Sequence, residues 1–161
     1  MLIVLEGLDG AGKSTQLRML TSRLEESGRQ VEFLGMLSQP ELARAMNEAG
    51  SFILPSFSEG LPLVLAEAMA CGCQLLCSDL PGIRQWLDEN APGHDCTFIP
   101  LPPLDGAGEP LADGLPAFRH RMADAIGERI GQLRRRQPEL SALSWDGTAE
   151  KILRGMEQKA T

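Results

Sequence analysis

Two stretches of the sequence carry residue types whose spacing could do chemistry. The first is GLDGAGKST, residues 7–15, which fits G-x-x-x-x-G-K-[ST] after an apolar run and at the head of a helical pattern. Gly7, Gly10 and Gly12 let the backbone close around an anion without Cβ clashes. Successive N–H groups over Asp9, Gly10, Ala11 and Gly12, with the helix N-terminus at Ser14 and Thr15, would then point at phosphate oxygens. Lys13 adds a point charge for the β- and γ-phosphates, and Ser14 offers a hydroxyl to Mg²⁺. The chemistry expected is binding of a nucleotide, phosphate or pyrophosphate, with Mg²⁺ and ATP as the cofactor pair. A Gly-rich turn that merely links strand to helix is the plainer alternative.

The second stretch is PSFSEGLPLVLAEAMACG, residues 55–72, in which Glu59 and Glu67 stand eight apart with a helix starting between them. By themselves, two such carboxylates could simply cap and solvate the N-terminal half of that helix. Asp79 follows the apolar run QLLCS and could hold Mg²⁺ as the acidic residue does in other phosphate-loop proteins, with capping of the next helix as the plainer use. No catalytic residue follows from these patterns.

Those residues need elements to position them, and the chain supplies a β/α alternation. LIVLEG (2–7) is a buried-strand signature, and residues 13–27 place Leu17, Leu20 and Leu24 on one helical face before Gly28. VEFLG (31–35) is the next strand. Ser38, Pro40 and Glu41 then make a capping-box start for a helix with Leu42, Ala45, Met46 and Ala49 on one face. SFILPS (51–56), QLLCSD (74–79) and CTFIPL (96–101) are strands, separated by a helix over 61–72 ending in Gly72 and a short one over 81–87 with Ile83, Trp86 and Leu87 inward. Four Pro and three Gly make 102–116 a surface loop. Beyond it, Phe118, Met122, Ala125, Ile126, Ile130 and Leu133 recur at helical spacing, and a last helix over about 147–158 has Asp146 as its N-cap and Trp145, Ala149, Ile152 and Met156 on one stripe. The pattern predicts one α/β domain over 1–161: three layers, doubly wound, with a five-stranded, mainly parallel sheet and right-handed crossovers.

Composition narrows the partners. The chain has 161 residues with 15 Lys+Arg against 22 Asp+Glu, net −7, and only 4% aromatic residues, so it lacks the cations and stacking platforms of a general nucleic-acid binder. The one basic concentration, Arg119 to Arg136, reads as a solvated helix face. The apolar N-terminal run lacks a basic region and no stretch approaches a membrane span, so the expected location is cytoplasmic, without a membrane partner. Cys71, Cys73, Cys77 and Cys96 lack metal-ligand spacing and read as buried free thiols.

Two family resemblances follow. IVLEGLDGAGKSTQ with LEESGRQVEFL, within residues 1–34, resembles the opening β-loop-α-β unit of thymidylate kinases. That resemblance implies that Lys13 and the loop amides hold ATP phosphates and that Asp9 lies near a nucleoside monophosphate's sugar. Other kinase parts are missing: GMLSQ stands where R-x-P-G-G is expected, there is no Asp-Arg motif, and RRR at 134–136 is a poor lid. Without a monophosphate site or lid, little is left to position and stabilise a transferring phosphoryl group. From residue 31 onward the chain, through PSFSEGLPLVLAEAMACG and on to SWDGTAEKIL, resembles the C-terminal, nucleotide-sugar-binding domain of group 1 glycosyltransferases with the GT-B fold. This implies that Glu59 and the Gly60–Leu61 backbone approach donor sugar and diphosphate, and that Glu67 accepts hydrogen bonds from ribose hydroxyls. That family's G-R-x₃-K segment is absent.

Together the resemblances imply a chimera, engineered or naturally fused, joining a phosphate-loop unit (1–34) to glycosyltransferase-like βα units (35–161). The expected strand order is flavodoxin-like, 2-1-3-4-5, with the kinase order 2-3-1-4-5 as the alternative. The leading functional expectation is a phosphate- or nucleotide-binding module with little or no turnover. A glycosyltransferase donor half-domain and a functionless scaffold are the two alternatives.

Overall fold

The computed structural model describes residues 3–5, 25, 34–129, 138–144, 146 and 147. Four strands run through them: β1 (Ile3–Leu5), β2 (Ser51–Leu54), β3 (Gln74–Ser78) and β4 (Cys96–Ile99). Helices α1 (Gln39–Glu48), α2 (Leu63–Ala70), α3 (Ile83–Asn90) and α4 (Leu115–Arg129) alternate with β2 to β4 or follow them, and a 3₁₀ turn occupies Ser141–Leu143. The sheet order is β1-β2-β3-β4 and every pairing is parallel, with Leu5 opposite Ile53, Ile53 opposite Leu76, and Leu76 opposite Thr97.

Parallel strands need both faces covered, and alternate side chains meet that need. Phe52, Leu54, Leu75 and Cys77 face a core shared with Met46 of α1, Leu65 and Met69 of α2, and Ile83 and Leu87 of α3. Ile53, Leu76 and Ile99 face the other way, onto Phe118, Met122, Ala125 and Ile126 of α4. The described elements therefore form three layers, as the alternation predicts. β2 and β3 are buried at every residue, whereas the first three residues of β4 are half-buried.

Direct pairing of β2 with β3 leaves no place for β1 between them, so the order 2-3-1-4-5 does not describe these strands. The expected strand at 31–35 falls mostly outside the described residues, and its last two, Leu34 and Gly35, have irregular backbone. The helix expected over 13–27 lies outside them except for Glu25, as do Ile130, Leu133 and all but Gly147 of the helix expected over about 147–158.

Local chemistry explains the helix ends. At the start of α1, Glu41 reaches back to accept hydrogen bonds from the Ser38 N–H at 2.8 Å and the Ser38 hydroxyl at 2.6 Å. These bonds hold the Glu41 carboxyl below its usual range, the hydroxyl contributing most. α2 ends in a Schellman motif: the Cys73 N–H donates to the Ala68 carbonyl at 2.9 Å and the Gly72 N–H to Met69 at 2.8 Å, with Gly72 at φ +80°. Gly72→Ala is expected to cost about 1–2 kcal/mol, because a Cβ is strained in the left-handed region. A urea midpoint unchanged from wild type would contradict this.

Three local expectations are corrected. α4 begins at Leu115, inside the segment read as loop, because a proline in the first helical turn, here Pro116, forfeits no intrahelical bond. Asp146 is not the final cap. The Ser144 hydroxyl accepts the Gly147 N–H at 3.0 Å, placing Asp146 and Gly147 already within helical backbone. The basic stretch on α4 is not a wholly solvated face either. Arg129, with a side chain only 15% exposed, forks onto Asp95 at 2.8 and 3.0 Å and reaches the Thr97 hydroxyl at 2.5 Å.

Candidate functional site

All four strands end at one edge of the sheet, the carboxyl edge, where ligands bind in open α/β folds. β2 leads there into Pro55–Pro62, the segment holding Glu59, Gly60 and Leu61, and α2 departs from it at Leu63. Glu59 is half-buried in this segment, while Glu67 is exposed in the second turn of α2. Neither carboxylate is engaged by a hydrogen bond or ion pair among the described residues.

Of the plainer reading of these two glutamates, the capping part is not met, while the solvating part fits Glu67, which is exposed. The N-cap of α2 is Pro62, no side chain caps the helix, and its first turn contains no acidic residue. Glu59 is thus not a cap; no side chain answers the positive end of the helix dipole, and of its first N–H groups Leu63 donates to the Leu61 carbonyl at 2.9 Å and Leu65 to the Pro62 carbonyl at 3.0 Å. Leu61 and Leu63, 53% and 60% exposed, put apolar surface beside that end.

What holds the segment was not evident from the motif. Phe57, two residues before Glu59, turns to the opposite face of the sheet and packs on Phe118 of α4, ring centroids 5.2 Å apart and planes tilted by 57°. The benzyl group is 93% removed from solvent, so a core contact pins the strand-to-helix connection from below. A large aromatic amid Ser and Gly in SFSEG was the available signal. Ser56 and Ser78, 2% and 1% exposed, are buried at the same edge, and neither hydroxyl has a hydrogen-bond partner among the described residues.

Asp79 stands just beyond β3, and its carboxylate accepts a hydrogen bond from Arg84 at 2.8 Å. The same bond holds the Arg84 guanidinium above its usual range, and Arg84 also lies over the Phe98 ring, 4.0 Å from its centroid. This corrects the capping use considered for Asp79. α3 has Gly82 at its N-cap with no side-chain cap, and the Asp79 carboxylate is paired with Arg84 instead. Among the described residues there is no group of three or more His, Cys, Asp or Glu able to hold a metal. Gly7, Asp9, Gly10, Ala11, Gly12, Lys13, Ser14 and Thr15 lie outside the described residues. No helix among the described residues is long and apolar enough to cross a membrane.

Comparison with known proteins decides the family. The sequence profile of the group 1 glycosyl transferases matches residues 7–106. The chain belongs to that family. Phosphatidyl-myo-inositol mannosyltransferase of Mycobacterium tuberculosis strain H37Rv is 32% identical over 152 residues, covering 94% of this chain and 38% of that protein. The corresponding protein of Mycobacterium leprae is 31% identical over 153 residues, covering 94% of this chain and 37% of its own length. Glycogen synthase of Mycobacterium tuberculosis is 30% identical over 122 residues, 74% of this chain and 29% of that enzyme. No solved structure gives a significant match. This glycosyl transferase chain thus spans less than two-fifths of the length of these relatives. The family match begins at residue 7 and takes in the whole phosphate-loop segment, so residues 7–34 need no second origin to be accounted for.

Proposed function

We propose that the chain forms the donor-binding part of a glycosyl transferase and takes a nucleoside diphosphate hexose at the carboxyl edge of its sheet. The observation that supports this most is the uncapped N-terminus of α2, flanked by the unengaged carboxylates of Glu59 and Glu67. In this reading the helix end and the Gly60–Leu61 backbone receive the diphosphate, Glu59 faces the sugar, and Glu67 accepts hydrogen bonds from the ribose hydroxyls. The mannosyltransferases and the glycogen synthase among its relatives make mannosyl and glucosyl donors the first to test.

A second reading keeps the phosphate loop as the grip, with Lys13 on the phosphates and Ser14 on Mg²⁺. It is favoured by the parallel β1–β2 pairing, since the run from Gly7 to Thr15 follows a strand that ends beside the start of Pro55–Pro62.

Titration calorimetry with GDP-mannose, UDP-glucose, ADP-glucose, ATP and pyrophosphate separates the two readings. Donor binding predicts that a nucleotide sugar binds better than ATP. Glu67→Ala then weakens it at least about tenfold, about 1.4 kcal/mol, and Lys13→Ala leaves it nearly unchanged. Preference for ATP, lost on Lys13→Ala and indifferent to Glu67→Ala, would establish the phosphate-loop reading instead. A thermal midpoint unmoved by any of these ligands at millimolar concentration would leave only a scaffold.

A further inference from the structure

We infer that Cys77 and Cys96 form a dithiol that closes reversibly to an intrachain disulfide by exchange with a low-molecular-weight disulfide such as oxidised glutathione. Cys77 lies in β3 and Cys96 opens β4. Cys96 is opposite Leu75 and Cys77 opposite Phe98, so the two are offset by two residues on neighbouring strands and share a face. Their Sγ atoms are 3.5 Å apart. The other two thiols are directed elsewhere: Cys73 Sγ donates to the Met46 carbonyl of α1 at 3.1 Å, and Cys71 Sγ faces the Ala43 carbonyl at 3.8 Å. The proposed donor site uses neither Cys77 nor Cys96.

Access orders the steps. Cys77 is 2% exposed, whereas Cys96, its thiol also mostly buried, is the less enclosed residue and lies on β4, which has one strand neighbour among the described residues. Cys96 thiolate therefore attacks one sulfur of oxidised glutathione, expelling one glutathione thiolate and leaving a mixed disulfide. Cys77 then loses its proton and attacks the Cys96 sulfur, expelling the second glutathione. Two protein thiols are oxidised and one small disulfide is reduced to two thiols. Contact with Cys77 and burial push the Cys96 thiol well above its usual range, against the pull of Arg129 and Arg84, so exchange near neutrality is slow. The two-residue offset strains the closed form, because bridged Cα atoms usually lie within about 6.8 Å of each other. A strained disulfide is readily reduced, which makes the couple reversible rather than a permanent staple.

The test equilibrates the folded chain anaerobically, at mildly alkaline pH, in a series of oxidised-to-reduced glutathione ratios. Samples are acid-quenched, unfolded, alkylated and mapped by mass spectrometry. The expected result is loss of two alkylatable thiols at oxidising ratios, with a peptide linking Cys77 to Cys96, both reversed by reduced glutathione. In Cys77→Ala the link disappears and a glutathione adduct accumulates on Cys96. Four alkylated thiols at every ratio would overturn the proposal, as would links through Cys71 or Cys73 or between two chains. If Cys77→Ala does not fold, as judged by its thermal melt, the wild-type peptide map decides alone.

Discussion

Phe118→Ala is expected to lower stability by about 3–5 kcal/mol, the usual range for deleting a fully buried aromatic side chain. Phe118 has no exposed surface and sits at the centre of the core between α4 and the sheet, where Ile53, Leu76 and Ile99 converge. α4 is the helix that covers this face among the described residues, so little else is placed to collapse into the cavity. For a chain of this size each kcal/mol moves the midpoint by about 2–4 °C, so a fall of roughly 6–20 °C is expected in a thermal melt. Phe118→Leu conserves most of the volume and should cost less than about 1.5 kcal/mol. The contact with Phe57 adds a second consequence. Removing the ring frees the connection that holds Glu59, so nucleotide-sugar affinity should fall even at temperatures where the variant stays folded. A shift under 1 kcal/mol for Phe118→Ala would mean that α4 does not close the core as described.

The parts of this fold that could be read in the sequence are those where one local rule decides. Glycine after a run of good helix formers gave the end of α2, and Ser38 with Glu41 gave the start of α1. The unbroken apolar runs of β2 and β3 marked strands buried on both faces. Where two rules competed, the reading failed. Asp79 and Asp146 each precede a helix and look like caps, yet Arg84 lies within reach of the first, and Ser144 is already capping the turn that contains the second. Propensity at a cap is a one-residue argument, and it loses to a partner supplied by the tertiary fold. Arg129 was misread for the same reason: its partner Asp95 is 34 positions away and no local pattern announces it.

The candidate site divides along the same line. Glu59 and Glu67 stood out through the resemblance to glycosyltransferases, and the helix start between them was legible because it is a local event. Phe57 was missed, since its role depends on a ring that arrives from α4 on the other side of the sheet. For the phosphate loop, the eight-residue match to G-x-x-x-x-G-K-[ST] within IVLEGLDGAGKSTQ, together with LEESGRQVEFL, suggested a nucleotide kinase ancestry, while the group 1 glycosyl transferase match extends across residues 7–106. A short glycine-rich run between strand and helix serves phosphate binding in many α/β families, so the motif speaks for a ligand class more than for a lineage. That is why the proposed donor site and the loop make competing, separable claims on the same diphosphate.

The second large effect is expected at the pair that ties the last turn of α4 to the start of β4. Arg129 donates to both carboxylate oxygens of Asp95, at 2.8 and 3.0 Å, and to the Thr97 hydroxyl, with the two charged side chains 15% and 23% exposed. Asp95→Ala leaves a largely buried guanidinium with one neutral partner from this set, and the penalty for stranding a charge exceeds the net worth of the pair. A loss of about 2–4 kcal/mol is expected, below the fully buried limit because both groups keep some water. Arg129→Met removes the fork from Asp95, the more exposed partner, so its cost should be smaller. The decisive measurement is the double variant Asp95→Ala/Arg129→Met. If the stranded charge is the cause, the double variant is more stable than Asp95→Ala alone, and the urea midpoints of the four proteins give a coupling energy of at least about 1 kcal/mol. Strict additivity would show instead that the fork contributes no net pairing energy.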